Sequence, residues 1–517
     1  MKILQTDCLI IGNGLASLVY AHKIAKKGLK CIILSASDSI EHSNSNLAQG
    51  GIIYEEKPDI KTLIEDVQLA GAGLSNEKAV KELTLNGYQV IKDLFIKELN
   101  TLFDKTPAGK LLLTKEGAHS KKRIIYSKDY TGKAMVSALI AKIKNNKNIK
   151  VLKNSTAIDL LTLSHSSENS IDRYLPLTCF GAYVLNGKTN DIFAIKAKKT
   201  ILATGGLGQI FKHTSNTLQS FGGGIAMAYR VGARVINLEY TQFHPTVFIK
   251  GDTMFLISEA VRGEGGVLIN NKGKAFMKKY HELGDLAPRD VVSRAIHYEM
   301  LKTSSHRVYI DLSKMSASYI KKRFPKIYEK CLAEGVDITK QPIPVVPSAH
   351  YSCGGVFTDN YGRTNIENLN AIGETACTGY HGANRLASTS LLEVVSMADL
   401  CAKKDMFDLH SGKTFKMPSV KNWQSPKKEP DLTLIKQDLD SIKNTMSNYV
   451  GVIRSAKRLE RAEKILRHLK NDVDIFYKDY KITKQSLNLR NAAQCALLVL
   501  YAALKNPRSR GCHYIEK

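Results

Sequence analysis

Asp7-Cys8-Leu9-Ile10-Ile11-Gly12-Asn13-Gly14-Leu15-Ala16-Ser17 is the stretch on which the fold turns. Its first five residues end in three aliphatic side chains and read as a short buried strand; Gly12 and Gly14 permit a tight reversal, an amphipathic segment runs to Lys27, and Cys31 to Leu34 is a second apolar strand. Strand, glycine turn, helix and strand make a βαβ unit. The turn follows G-x-G-x-x-G/A with serine in the third slot, so backbone N–H groups at a helix N-terminus can approach a pyrophosphate unobstructed. A glycine turn with no ligand is the plainer reading of so short a match, but its place between a strand and a helix favours a nucleotide. A nicotinamide dinucleotide would want a ribose-binding carboxylate at the end of the second strand; Ser35 and Ala36 stand there and Asp38 comes late, so NAD is not the expected ligand.

Around this unit lie 517 residues, 43% hydrophobic and 24% charged, enough for two or three globular domains. The longest apolar run, Ala492 to Leu504, contains Gln494 and is shorter than the ~20 residues that cross a bilayer, and no basic region followed by an apolar run opens the chain. No membrane association and no signal peptide are expected. Nine cysteines form no C-x-x-C pair, which argues against a zinc or iron–sulfur metal site and for the reducing cytoplasm. The formal charge of +27 raises a nucleic-acid reading, yet the lysines are dispersed over polar helix faces. A solvated basic surface, able to steer a small dianion, is the expectation, with no nucleic acid.

Further along, Ser43-Asn44-Ser45-Asn46-Leu47-Ala48-Gln49-Gly50-Gly51 offers backbone and hydroxyl donors that can wrap a cofactor. Residues 60 to 100 read as two helices broken at Ala70-Gly71-Ala72-Gly73, and Glu116 and His119 fall on a loop. A helix follows Asp129, residues 149 to 201 read as a β-rich insertion, and Gly222-Gly223-Gly224 opens another helix. The texture changes at 237 to 351, read as an inserted domain, and returns to strands and glycines afterwards. Ser388-Thr389-Ser390 reads as a capped helix start. Residues 1–236 with 352–404 are thus a discontinuous body, 237–351 a cap, 405–430 a polar linker, and 431–517 a helical domain with three amphipathic segments.

The pieces Ala48-Gln49-Gly50-Gly51, Gln242-Phe243-His244-Pro245-Thr246, Glu259-Ala260-Val261-Arg262-Gly263-Glu264-Gly265, Pro288-Arg289-Asp290, Ala349-His350-Tyr351 and His381-Gly382-Ala383-Asn384-Arg385-Leu386-Ala387 resemble the succinate dehydrogenase and fumarate reductase flavoprotein family, and within it the L-aspartate oxidases. The resemblance runs nearly end to end. It implies an α/β FAD-binding Rossmann-like domain with an inserted, mobile α+β capping domain and a C-terminal helical domain. FAD contacts would fall on Gly12, Asn13, Gly14, Leu15, Ala16, Ala36, Asn44, Ser45, Asn46, Leu47, Ala48, Gln49, Gly50, Gly51, Gly223, Glu374, Ser390 and Leu391. Respiratory members tether FAD through a histidine before Ala-Gln-Gly-Gly; Asn44 stands at about that place, so FAD is expected to bind non-covalently. Gly223 replaces a customary aspartate, Ser258 a threonine and Ala275 an arginine.

The implied activity is oxidation of L-aspartate to iminoaspartate, the first step of NAD synthesis from aspartate, with hydride passing from substrate C2 to flavin N5 and reoxidation by oxygen or fumarate. His244, Ser258, His350 and Arg385 would hold the carboxylates, Arg289 would sit over the reacting carbons, and Glu116 would face the ammonium. In fumarate reduction Arg289 would donate a proton relayed through Glu259 and Arg262. The labile product would pass to a quinolinate synthase. A soluble fumarate reductase is the alternative, and a non-catalytic basic FAD-binding or nucleic-acid-binding protein the alternative of another class.

Overall fold

The computed structural model describes residues 1–251, 253–411 and 417–516. Strand β1 (Ile3–Ile11) ends at Gly12, where φ is +118° and a Cβ would lie 2.1 Å from the Ala203 carbonyl oxygen. Only glycine fits that crossing. The chain turns into α1 (Leu15–Ala25) and returns as β2 (Cys31–Leu34), parallel to β1 with Cys8 opposite Cys31 and Ile11 opposite Leu34. Rather than being amphipathic, α1 is buried along its length apart from Lys23, because a long helix, Ser390–His410, covers the side that the sheet leaves free.

After α2 (Ile60–Ala70), α3 (Glu77–Val90) and α4 (Thr131–Ile143), strand β3 (Ile149–Leu152) joins β2. Strands β4 (Ser155–Thr162), β5 (Cys179–Asn186) and β6 (Ile192–Leu202) form an antiparallel meander, and β6 lies parallel to β1 from Ile3 opposite Ala194 to Ile11 opposite Leu202. The order is β3-β2-β1-β6-β5-β4. Residues 149 to 201 are therefore not an insertion but half of the central sheet, with β5 buried on both faces.

Helix α5 (Gly223–Arg230) leads to a second, antiparallel sheet of β7 (Thr241–Lys250), β8 (Thr253–Leu256), β9 (Val267–Ile269), β10 (Val308–Asp311) and β11 (Ile343–Ser352), ordered β8-β7-β11-β10-β9. Its helices α6 (Glu259–Gly263), α7 (Arg289–Lys302) and α8 (Pro325–Ala333) close over a core of its own that includes Phe248, Val261, Ile296, Ile310, Ile327 and Val345. The β7–β11 ladder slips between Gln242 and Phe243 and again between His244 and Val247, around Pro245. Such bulges re-aim side chains, and here they sit beside the site.

The chain returns to the first sheet as β12 (Leu369–Ala371), beside β6, then enters α9 (Ser390–His410). Residues 405 to 410, expected as the start of the linker, are the last turns of α9. Asp405 holds them in: buried, it accepts from the Tyr20 hydroxyl at 2.7 Å and Asn370 Nδ2 at 2.8 Å and pairs with Lys199 at 3.4 Å. Part of the expected linker, 412 to 416, lies outside the described residues. Helices α10 (Leu432–Tyr449), α11 (Ala456–Asp479) and α12 (Lys484–Lys505) follow, α12 opening with a Thr483–Ser486 capping box. The apolar run judged too short for a bilayer sits within α12, whose 22 residues are long and apolar enough to cross one; here its apolar side packs on α10, α11 and α5.

Candidate active site

One cavity runs from the Gly12–Ala16 turn, past Ser43–Ser45 and Leu47–Gly51, to His244, Ser258, Glu259, Arg289, His350, Arg385 and Glu116. Its first half fits FAD. Helix α1 has no side-chain cap at Gly14; the Leu15 N–H donates to Ser45 Oγ at 3.2 Å, and a Cβ on Gly14 would meet only that oxygen, at 3.4 Å. That leaves a helix N-terminus open to an anion. Gly132 lets α4 press on the wrapping loop, since a Cβ there would lie 1.9 Å from the Ser45 carbonyl oxygen. Helix α9 is not capped as expected: Thr389 turns its hydroxyl back to the Leu386 carbonyl at 2.7 Å instead of accepting a helix N–H, and Ser388, held at φ +59°, gives its hydroxyl to Glu116 Oε2 at 2.7 Å. The first N–H groups of α9, at Ser390 and Leu391 on the cavity wall, thus present the positive end of a 21-residue helix to the cavity, where it would stabilise negative charge on a bound ring.

Not every expected cofactor contact lines this cavity. Ala36 accepts from Lys484 Nζ at 2.7 Å, Asn46 does not reach the cavity wall, and Gly223 opens α5 with Asn491 Nδ2 3.4 Å from where its Cβ would be. Asn44 is on the wall but committed to protein, donating to Ser220 Oγ at 3.2 Å and accepting from the Thr217 N–H at 2.8 Å. Glu374 is also on the wall, accepts from the Ser352 N–H at 3.0 Å, and is pushed up to about 7 by burial.

The second half is built of charge. Arg289, first residue of α7, donates from Nε to Glu259 Oε2 at 2.6 Å and from Nη1 to Gln242 Oε1 at 3.2 Å. Arg262 Nη2 lies 3.9 Å from the same Glu259 oxygen, and its Nη1 donates to the Asp285 carbonyl; Arg262 is fully buried behind the cavity. Burial alone would raise the Glu259 carboxyl, but the guanidiniums of Arg289 and Arg262 outweigh it and hold the group ionised. The expected sequence Arg289, Glu259, Arg262 is thus contiguous, a hydrogen bond followed by a looser ion pair.

Burial and then Arg289 hold His244 well below the imidazole range, and its Nδ1 accepts the Thr246 N–H at 3.2 Å, so the ring is neutral with its proton on Nε2. His350, depressed by burial and Arg385, shares a 2.7 Å hydrogen bond between Nδ1 and Ser215 Oγ, its ring centroid 5.1 Å from that of His244. Arg385 stacks 4.6 Å over the Tyr351 ring and donates to Ser390 Oγ at 3.1 Å, while its buried Nε has no partner. Ser258 caps α6, accepting the Ala260 N–H at 3.3 Å, which leaves its hydroxyl proton for the cavity. Glu116 is raised, by burial and then by Glu259.

Several contributors carried no assigned role in the sequence. Gln242 stands two residues before His244 on the same strand, a period-2 signal that could have found it. Ser215 and Ser388 act across 135 and 272 residues, on His350 and Glu116, and nothing local marks them.

The sequence profile of a family described as "FAD binding domain" matches residues 7–391, and one described as "Fumarate reductase flavoprotein C-term" matches 439–517. The chain is 39% identical over 514 residues to L-aspartate oxidase 1 of Ralstonia nicotianae, covering 98% of this chain and 94% of that one. It is 39% identical over 523 residues to L-aspartate oxidase of Pseudomonas aeruginosa, covering 99% and 95%. With the chloroplastic L-aspartate oxidase of Arabidopsis thaliana it shares 38% over 536 residues, 98% of this chain and 80% of the other. Among solved structures an E. coli quinol fumarate reductase chain superposes with a TM-score of 0.88 at 24% identity, covering 100% of this chain and 92% of that chain, which speaks to the fold.

Proposed function

This chain belongs to the FAD-binding flavoprotein family of the fumarate reductases and L-aspartate oxidases, and from that premise we propose that it oxidises L-aspartate to iminoaspartate. The observation that carries this reading is a carboxylate, Glu116, set on the wall of a cavity otherwise furnished with Arg289, Arg385 and two neutral imidazoles. Cations and N–H donors suit the two carboxylates of a dicarboxylate; Glu116 adds an acceptor for the one group that aspartate has and succinate lacks.

Bound FAD supplies the two-electron acceptor for the substrate carbon. Arg385, with its unpartnered Nε, clamps one carboxylate bidentately, and His244 and His350 donate N–H bonds to the other without adding charge that pH would remove. Ser258 adds a hydroxyl donor. Running toward fumarate reduction, Arg289 delivers a proton, replaced from Arg262 through Glu259. Residues 237–351 act as a cap on the discontinuous body. The cofactor is held non-covalently, in keeping with the engagement of Asn44 by Thr217 and Ser220. Oxygen or fumarate reoxidises the enzyme, and a quinolinate synthase consumes the labile imine. Nine unpaired buried cysteines suit a cytoplasmic setting.

The test is anaerobic bleaching of the yellow holoprotein by L-aspartate, with fumarate restoring the colour. Reoxidation by fumarate without bleaching by L-aspartate would leave a soluble fumarate reductase instead. Acid precipitation should release the colour to the supernatant; a yellow pellet refutes non-covalent binding.

A further inference from the structure

Asn384, beside Arg385, touches three parts of the molecule. Its Oδ1 accepts from Gln242 Nε2 at 2.6 Å and from Cys512 Sγ at 3.2 Å, and its Nδ2 donates to Asp290 Oδ1 at 3.3 Å. Two donors occupy both lone pairs of one amide oxygen, which fixes which way the amide points. Gln242 is bound the same way: its Nε2 also donates to the Arg385 carbonyl at 2.8 Å, so its Oε1 is left for Arg289. Gln242 therefore joins the Arg289 guanidinium to the Arg385 backbone, and Asn384, next to Arg385 in the chain, reaches Asp290, next to Arg289.

The third contact comes from the segment Arg508–Glu516. Gly511 has φ +53°, and a Cβ on it would stand 2.5 Å from the Ala383 carbonyl oxygen, the same oxygen that accepts the Cys512 N–H at 2.9 Å. On its other side the segment grips the face of α7 below Arg289: Arg294 donates to the Gly511 carbonyl at 3.4 Å and lies 4.9 Å over the Tyr514 ring, and Tyr298 donates to Glu516 Oε1 at 3.2 Å. One end is anchored to α11's approach, where the Arg454 N–H donates to the Tyr514 carbonyl at 3.0 Å and the Glu516 N–H to the Arg454 carbonyl at 2.7 Å.

We propose that the 508–516 segment is a strap that positions the substrate clamp: by holding Asn384 from one side and α7 from the other, it sets the spacing between Arg385 and Arg289 that a dicarboxylate must bridge. Cys512 and Tyr514 are positioning residues and touch no substrate. The inference rests on the dicarboxylate reading of the site, but not on aspartate being the substrate.

The test uses the full chain loaded with FAD and succinate as the probe, read by the change in flavin absorbance on binding. Cys512→Val, which loses a hydrogen bond, and Tyr514→Leu, which loses the stacking of Arg294, should each weaken succinate binding roughly tenfold and raise KM for fumarate with it, while FAD affinity stays unchanged. Cys512→Ser keeps a donor for Asn384 and should restore wild-type binding. In the apoprotein, hydrogen exchange of residues 381–387 should quicken in both weakened variants. Tyr298→Phe, which removes one hydroxyl, is the gentler check if Tyr514→Leu fails to fold, and should act in the same direction by two- to threefold. Equal loss in the Val and Ser variants, or a fall in Tm with succinate affinity and loop exchange unchanged, overturns the proposal. If L-aspartate fails to bleach the wild-type protein while succinate still binds, the aspartate reading falls and the strap stands.

Discussion

The two stretches Gly12–Ala16 and Ser43–Gly51 that wall one end of the cavity carry no ionisable side chain, only backbone, amides, hydroxyls and aliphatics, with His42 and Glu374 at their border. The other end packs Arg289, Arg385, Glu259 and Glu116 against two imidazoles whose charge the site itself suppresses. A cofactor that stays bound can be held by fixed dipoles, which need no partner and do not titrate. A substrate that comes and goes, and whose protonation changes in the reaction, needs side chains poised between ion pairs. The first end should respond to added volume and the second to lost charge.

Arg289→Leu is the hardest blow to the charged end. It removes the cation that touches both Glu259 and Gln242, so fumarate reduction should drop about 10³-fold or more in kcat, measured with reduced flavin; a variant that retains the rate would deny the arginine its proton. Volume, not charge, is tested by Gly14→Ala, where the backbone is extended at φ −75°, a conformation open to alanine, and the new Cβ has room against Ser45. The apoprotein should keep its Tm while FAD binds roughly tenfold more weakly, by titration of fluorescence quenching. Loss of Tm as well would mean that the cradle is needed by the fold.

Glu116→Gln separates the two directions of turnover. L-aspartate oxidation should lose roughly tenfold in kcat/KM, equivalent to about 1.4 kcal/mol, and fumarate reduction little. Because burial and Glu259 raise this carboxyl, wild-type kcat/KM for L-aspartate should fall as pH drops through a value above that of an ordinary glutamate, and the Gln variant should lack that limb. The smallest effect belongs to Glu374. Its folded-state value of about 7 lies above the ordinary 4.5, so the unfolded chain releases the proton first and the stability cost is full above pH 7 and disappears toward pH 4.5. Glu374→Gln should raise the apoprotein Tm by roughly 1–3 °C at pH 8 and leave it unchanged at pH 4.5.

The same contrast explains what could be read from the sequence. The Gly12-x-Gly14 turn and the helices at 432–505 declare themselves because their causes are local: φ, apolar period and cap lie within a few residues. The meander at 149–201 did not, because strands look alike whether they end a sheet or fill its middle; only pairing with Ile3–Ile11, nearly two hundred residues away, decides. At the site, Gln242 was legible by its period with His244, whereas Ser388 owes its role to a left-handed backbone and a partner 272 residues distant.

One pairing bears on how the chain is made. Strand β12 lies beside β6 with Leu369 opposite Thr200 and Ala371 opposite Leu202, and the whole second sheet, with its own core, is encoded between them. At a synthesis rate of about 5–20 residues per second, the edge at Thr200–Leu202 waits roughly ten to thirty seconds on the ribosome for its neighbour while the cap folds first. An apolar strand edge left open that long invites pairing with other nascent chains. Yield in a growing cell should therefore depend on temperature and on chaperone supply more steeply than the melting curve of the purified enzyme would suggest.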